Sequence, residues 1–119
     1  MSAAVLIIED DVSCAKSLSR AIRKAVDVTV LCVAIPDSVT AAAIGIDSLY
    51  DHRPSVVIVD GLDGHAVEVL LAASDLEIPA ILYTGAPESW KYAEVPVCGK
   101  PDHKALLDHI TKYIGEQES

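Results

Sequence analysis

Residues 5–11 of the chain read VLIIEDD, a run of branched aliphatic residues that ends abruptly in three carboxylates. The apolar run is too short for a helix, and its lack of alternation is typical of a strand buried on both faces. Four more short apolar runs follow, and polar, glycine or proline residues end them too. The five predicted strands cover residues 4–8, 28–34, 56–59, 80–83 and 95–98.

Most of the segments between these runs carry apolar residues at steps of three or four, which is helical spacing. The predicted apolar faces are Ala15, Leu18, Ile22 and Ala25; Ala42, Ile46 and Leu49; Val67, Leu70 and Ala73; and Leu106, Ile110 and Tyr113. Asp37 or Ser38 can cap the second helix. Asp102 can cap the last helix, and Gly115 can end it.

Strands and helical segments thus alternate without a linker or an internal repeat. This order favours an α/β fold, in which helices cover both faces of a doubly wound parallel sheet. The fourth connection is weaker, because only residues 85–94 are available for a helix and Pro87 interrupts them. We expect one or two helical turns there, within a single domain over residues 1–119 and with no output domain after it.

Composition restricts the possible functions. A formal net charge of −9 argues against a nucleic-acid partner, which requires a basic surface. No apolar run approaches the length of a membrane span, and no basic segment of a signal peptide precedes the first strand. The three cysteines form no C-x-x-C pair, as expected for reduced thiols. We therefore expect a cytoplasmic protein that contacts neither membranes nor nucleic acid.

Polar residues follow the apolar runs at the edge where an open parallel sheet gathers its functional groups. They are Glu9 and Asp10 after the first run, Asp60 after the third, Thr84 after the fourth and Lys100 after the fifth. Each residue alone is more typical of a helix cap, a turn or a solvated side chain. Together they predict a cluster of carboxylates, one hydroxyl and one ammonium group.

The chemistry of such a cluster is restricted by charge. Two carboxylates repel each other by on the order of 4 kcal/mol at about 4 Å and an effective dielectric of about 20, so a cation is required. Hard oxygen ligands with room for water favour Mg²⁺, and Lys100 adds a fixed positive charge. A carboxylate beside these cations and a hydroxyl is typical of phosphoryl transfer, with an aspartyl phosphate as the product.

Four segments at these strand ends resemble the response-regulator receiver domain: residues 5–11 (VLIIEDD), 57–60 (VIVD), 82–85 (LYTG) and 99–101 (GKP). The resemblance covers nearly the whole chain. It implies a flavodoxin-like (βα)5 sheet with strand order 2-1-3-4-5 and a short or degenerate fourth helix. It also implies that Asp60 is the phosphoacceptor and that Thr84 and Lys100 bind phosphoryl oxygens.

The same resemblance implies a Mg²⁺ site. Asp10 and Asp60 would be direct ligands, the backbone carbonyl of Leu62 would be the third, and Glu9 would act through a water. The peptide between Lys100 and Pro101 is expected to be cis.

Some features depart from most receivers. Val97 stands three residues before the lysine, where an aromatic is usual, and the loop over residues 61–64 is short. With residues 79–86 (PAILYTGA) and 92–97 (YAEVPV), these features resemble the atypical single-domain alphaproteobacterial "FAT GUY" receivers, although the aromatics of their Pro-Phe-x-Phe-Ala-Thr-Gly-Tyr motif are absent. We expect Trp90 and Tyr92 to pack over the short fourth connection, and Thr84 to order that connection on phosphorylation.

The predicted function is a single-domain response regulator in a two-component or phosphorelay system. It would accept a phosphoryl group from a histidine kinase or a histidine phosphotransfer protein, and then signal through protein contacts or act as a phosphate sink. It would be a switch rather than an enzyme, catalysing only its own phosphorylation and dephosphorylation. The alternative is a pseudo-receiver that binds its partners without phosphorylation.

Two enzyme classes are disfavoured. A phosphatase of the haloacid-dehalogenase type requires Asp-x-Asp after the first strand, which residues 9–11 (EDD) do not supply. Dinucleotide-binding enzymes carry G-x-G-x-x-G, which is absent. The first helix carries four of the nine cations, Lys16, Arg20, Arg23 and Lys24, as a solvated face or as a docking surface for an acidic partner.

Overall fold

A computed structural model describes residues 3–91 and 93–118, so the expectation for Tyr92 lies outside the described residues. Strands and helices alternate from the N-terminus. The elements are β1 (Ala4–Glu9), α1 (Val12–Ala25), β2 (Thr29–Ala34), α2 (Ser38–His52), β3 (Val56–Val59), α3 (Ala66–Asp75), β4 (Ala80–Thr84), β5 (Val97–Gly99) and α4 (His103–Glu118). None of the helices within these described ranges is long and apolar enough to cross a bilayer.

The five strands form one parallel sheet in the order β2-β1-β3-β4-β5. This is the predicted flavodoxin-like arrangement. β1 lies between β2 and β3, with Ile7 opposite Cys32 on one side and Ile58 on the other. The carboxyl ends of β1, β3, β4 and β5 therefore lie side by side at one edge.

Two apolar clusters cover the two faces of the sheet. Leu6 and Ile8 of β1 pack toward α2 and α3, whereas Val5 and Ile7 pack toward α1 and α4. All four side chains are at most 1% exposed. Burial on both faces explains why the sequence shows continuous apolar runs instead of alternation.

The predicted helix caps are confirmed at two positions. The Asp37 carboxylate accepts a hydrogen bond from the Thr40 N–H at 3.0 Å, and the Asp102 carboxylate accepts one from the Ala105 N–H at 3.1 Å. The expectation that Gly115 ends the last helix is wrong, because α4 continues to Glu118. Gly115 does not adopt the left-handed conformation that makes glycine a helix terminator.

The predicted face of α3 is confirmed for Ala73 and for the partly buried Leu70, but it is wrong for Val67. Ala66, Val69 and Ala73 are fully buried, whereas Val67 is 48% exposed. Ala66 and Val67 both lie at helical spacing from apolar residues further along α3, so periodicity alone did not separate the buried residue from the exposed one. The small alanine side chains face the sheet and allow a close approach of the helix.

The connection between β4 and β5 contains one turn of 3₁₀ helix, Pro87–Trp90, and no α-helix in its described residues. This confirms the prediction of a short fourth helix. Trp90 is partly buried and packs, as expected, against the apolar cluster between the sheet and the helices α2 and α3.

Gly45 sets the distance between α2 and the sheet. A Cβ atom at this position would lie 2.5 Å from Cδ1 of Ile8, which is closer than carbon atoms approach each other. A larger residue here would have to displace the buried Ile8 side chain, so glycine favours the close packing of α2 against β1.

Candidate functional site

The carboxyl ends of the central strands bring the predicted carboxylates together. Glu9 is the last residue of β1, Asp10 follows it, and Asp60 follows β3. Their carboxylate oxygens lie within 4.8 Å of one another. Glu9 is only 4% exposed, so part of this negative charge is removed from water.

Lys100 supplies the predicted cation. Its Nζ donates to Glu9 Oε1 at 2.6 Å and to Asp60 Oδ1 at 2.7 Å. Burial alone would lower the pKa of Lys100, but the hydrogen bonds to Asp60 and Glu9 outweigh it, so the pKa is raised. Lys100 therefore stays charged and binds both carboxylates at once. The peptide between Lys100 and Pro101 is cis, as expected.

The two carboxyl groups bound to Lys100 differ in their protonation. Burial raises the pKa of Glu9 to about 7, even though the hydrogen bond from Lys100 opposes the shift. Burial also acts upward on Asp60, but the hydrogen bonds from Lys100 and from the Leu62 N–H prevail and lower its pKa. Asp60 is therefore ionised at neutral pH, whereas Glu9 titrates there.

The loop after β3 orients the Asp60 side chain. The Leu62 N–H donates to Asp60 Oδ2 at 3.0 Å, so each carboxylate oxygen has its own donor. Leu62, Asp63 and Gly64 have φ values of 50°, 51° and 93°, a left-handed run that is costly for a leucine. The fully buried Leu62 side chain holds this conformation in place.

The Leu62 carbonyl accepts a hydrogen bond from the His65 N–H at 2.9 Å. A carbonyl oxygen has two lone pairs, so one remains for a cation. Ligation of a metal by this carbonyl stays a prediction.

Asp10 has a partner that the sequence did not reveal. Ser38 Oγ donates to Asp10 Oδ2 at 2.9 Å and so connects α2 to the acidic cluster. The sequence suggested Ser38 only as a helix cap, a role that Asp37 fills. Its position shortly after β2, at the functional edge of the sheet, was the available signal.

The acidic cluster fits a small divalent cation. Glu9, Asp10 and Asp60 offer hard oxygen donors at mutual distances that one ion can span, and the adjoining surface is open to water. This donor set suits Mg²⁺, which keeps several waters and binds through one or two carboxylates. The assignment of Asp10 and Asp60 as direct ligands and of Glu9 as an indirect one stays a prediction.

Thr84 and Trp90 lie next to Gly61, which is in the loop that follows β3. Thr84 Oγ1 accepts a hydrogen bond from the Ala86 N–H at 3.1 Å, which leaves the hydroxyl proton available for donation. A Cβ atom on Gly61 would lie 3.4 Å from Trp90 Nε1 and 3.5 Å from Thr84 Oγ1. These side chains and Asp60 line an open basin next to the acidic cluster.

Tyr83 is a second neighbour of Lys100 that the sequence did not single out. Lys100 Nζ lies 5.8 Å from the centroid of the Tyr83 ring. The ring of His103, at the start of α4, lies 6.0 Å from the Tyr83 ring between centroids. Burial raises the pKa of Tyr83 to about 12, so its hydroxyl stays protonated. The ring lines the same small cavity as Lys100, Glu9 and Asp60.

Solved structures with a similar fold cover nearly the whole chain. A response regulator receiver modulated diguanylate cyclase from Pelobacter carbinolicus has 17% identity and a TM-score of 0.70, over 98% of this chain and 95% of that one. A LuxR-family DNA-binding response regulator from Staphylococcus aureus has 21% identity and a TM-score of 0.68, over 95% and 98%. A de novo designed Rossmann 2x3 protein has 18% identity and a TM-score of 0.66, over 100% and 94%.

No protein-family model matches the sequence, and no curated protein matches it either. The similar structures include a designed protein as well as two response regulators, so the likeness concerns the fold. The chain has a receiver-like, flavodoxin-like fold, and its function has to be argued from the site.

Proposed function

We propose that the chain is a phosphoacceptor switch of the response-regulator type, with Asp60 as the acceptor. The carrying observation is the state of Asp60: an ionised carboxylate, bound by Lys100 on one oxygen and by a backbone N–H on the other, facing an open basin. Such a group is preorganised as a nucleophile, and its neighbours are suited to neutralise charge in phosphoryl transfer.

In the reaction, an oxygen of Asp60 forms a bond to phosphorus while the bond between phosphorus and the donor breaks. Lys100 balances the negative charge of the phosphoryl oxygens, and the Thr84 hydroxyl donates a hydrogen bond to one of them. Mg²⁺ held by Asp10, Asp60 and the Leu62 carbonyl, with Glu9 acting through a water, would neutralise the remaining charge.

The donors that fit this chemistry are a histidine kinase and a histidine phosphotransfer protein, whose phosphohistidine releases a neutral imidazole. The proposed role is therefore in a two-component or phosphorelay system, through protein contacts or as a phosphate sink. The chain would catalyse only its own phosphorylation and dephosphorylation. The helix-poor fourth connection supports the likeness to the "FAT GUY" receivers.

Intact mass measurement tests the proposal. With Mg²⁺ and acetyl phosphate, wild type should gain the mass of one phosphoryl group, and Asp60→Asn should gain none. Asp63→Asn is the matched control, because Asp63 is exposed and lies in the same loop. Full labelling of Asp60→Asn would refute the assignment. A wild type that neither gains mass nor binds beryllofluoride would favour the phosphorylation-independent pseudo-receiver instead.

A further inference from the structure

The described residues of the fourth connection leave two apolar side chains of the neighbouring helix α3 exposed. A connection between parallel strands normally carries a helix that packs on the sheet. Between β4 and β5 the described residues form only the turn Pro87–Trp90. Beside this gap, Val67 and Leu71 of α3 are 48% and 63% exposed, one helical turn apart.

The gap is a trough with mainly apolar walls, and Ser74 and Ser89 are its uncharged polar lining residues. Val67, Leu70 and Leu71 of α3 form one wall, and the other contains Trp90 and Val95. The trough encloses about 440 Å³. Single exposed aliphatic residues are ordinary, but a concave surface of this volume with a mainly apolar lining has the form of a binding groove.

Both ends of the trough are acidic. At one end it meets the basin of Asp60 and Asp63, with which it shares Val67 and Trp90. At the other end it continues to Glu77 and Glu94. Among the described residues, no lysine or arginine lines the trough or either end. An apolar centre between two acidic ends matches a ligand with the opposite charges.

We propose that this trough binds an amphipathic helix of a partner protein, in the place of the missing crossover helix. The helix would carry an apolar stripe at its centre and lysine or arginine at both ends. Recognition of this kind places an apolar stripe in a groove and uses flanking charges for orientation.

Trp90 connects this surface to the acceptor site. Its indole forms a wall of the trough and of the Asp60 basin, and its N–H has no hydrogen-bond partner among the described residues. This step rests on the proposed function. A phosphoryl group on Asp60 adds acceptor oxygens and negative charge at that end, so phosphorylation should fix the indole and tighten the binding of the helix.

A titration of the full chain with a synthetic peptide tests the docking surface. The probe is a helix of about 15 residues with leucines at helical spacing, alanines between them and lysines at both ends. Backbone NMR shifts should change at Val67, Leu71, Trp90 and Val95. A peptide with glutamates in place of the lysines should bind at least about tenfold more weakly.

A matched pair of variants locates the binding. Leu71→Gln should weaken the lysine peptide about tenfold, because an apolar contact in the trough is lost. Ile44→Gln on α2 should leave the affinity unchanged, since Ile44 is an exposed aliphatic residue that does not line the trough. Equal binding of both peptides, or no effect of Leu71→Gln, would overturn the proposal. Concentration-dependent dimerisation that Leu71→Gln abolishes would also overturn it, because the occupant would then be a second copy.

Coupling to the acceptor site has its own measurement. Beryllofluoride with Mg²⁺ should raise the affinity of the lysine peptide at least about threefold. In Trp90→Phe, which lacks the indole N–H, the ratio of affinities with and without beryllofluoride should fall to about one. If the wild type is labelled on Asp60 and its ratio of peptide affinities with and without beryllofluoride is still one, the coupling is refuted. If Asp60 takes no phosphoryl group, the proposed function fails, whereas the titration of the unmodified chain still decides the docking surface.

Discussion

The two sides of Asp60 are built differently. On one side, Lys100 connects Asp60 to the buried Glu9 through hydrogen bonds of 2.6 and 2.7 Å. On the other side, the Thr84 hydroxyl accepts one backbone hydrogen bond, and the indole N–H of Trp90 has no partner among the described residues. The side with the proposed reactive groups is already hydrogen-bonded, whereas the side proposed to report phosphorylation keeps free donors.

The difference follows from the elements that carry each side. Glu9 and Asp60 stand at the ends of adjacent central strands, where packing on both faces fixes the backbone. Trp90 lies in a connection whose described residues form no α-helix, and no residue of its 3₁₀ turn is fully buried. Regions with little buried apolar contact open at low free-energy cost, so movement after phosphorylation should be concentrated there.

The largest effect on stability is expected when the hydrogen bonds of Lys100 to Glu9 and Asp60 are removed. Lys100→Met leaves Glu9 and Asp60 facing each other without a cation and should lower the free energy of unfolding at pH 8 by about 2 kcal/mol. It should also abolish labelling by acetyl phosphate. Urea unfolding measures the first effect and intact mass the second.

Lys104→Met is the control for this substitution. Lys104 is 90% exposed and lies 4.0 Å from Asp108, so its removal should change neither stability nor labelling noticeably. Equal effects of the two substitutions would show that the acidic cluster needs no fixed cation.

A smaller effect is expected from pH and Mg²⁺. The pKa of Glu9 in the fold, about 7, lies above its ordinary value of 4.5. Glu9 therefore stabilises the fold fully below pH 4.5, and this contribution is lost as the pH rises through 7. A divalent cation relieves the resulting repulsion, so 10 mM Mg²⁺ should raise the melting temperature by about 4 °C at pH 8.5 and by less at pH 5.5.

Two variants separate the contributions to this effect. Glu9→Gln should remove most of the difference between the two pH values, and Asp10→Asn should weaken the response to Mg²⁺ at both. Thermal unfolding followed by circular dichroism measures each case. An equal response of wild type and Asp10→Asn to Mg²⁺ would place the cation elsewhere.

The smallest effect is expected on the side of Asp60 that carries Thr84 and Trp90. Thr84→Val keeps the shape of the side chain but removes the donor, so labelling of Asp60 should continue at a reduced rate. The change in Trp90 fluorescence on addition of beryllofluoride should be mostly lost, and Thr84→Ser should restore it. Trp90 is the only tryptophan, so the signal has one source. An undiminished change in Thr84→Val would show that Trp90 responds through another group.

The strand ends and their polar residues could be predicted because short apolar runs and the residues that follow them are local patterns. The exposure of Val67 on α3 could not be predicted. Val67 and Ala66 both fit helical spacing, and only packing decides that the alanine faces the core. The bond between Ser38 and Asp10 and the left-handed Leu62 also escaped prediction. Both depend on how close separate elements approach, which no single segment of the sequence encodes.

Gly45 has a consequence for the accuracy of the site. The helix that it lets settle onto Ile8 also carries Ser38, seven positions earlier and about 10 Å away along the axis. A larger residue at position 45 would press on the Ile8 side chain, and any shift of the helix that relieved this contact would also act on the hydrogen bond from Ser38 to Asp10. The orientation of the Asp10 carboxylate thus depends in part on the lack of a side chain at position 45, two helical turns from Ser38.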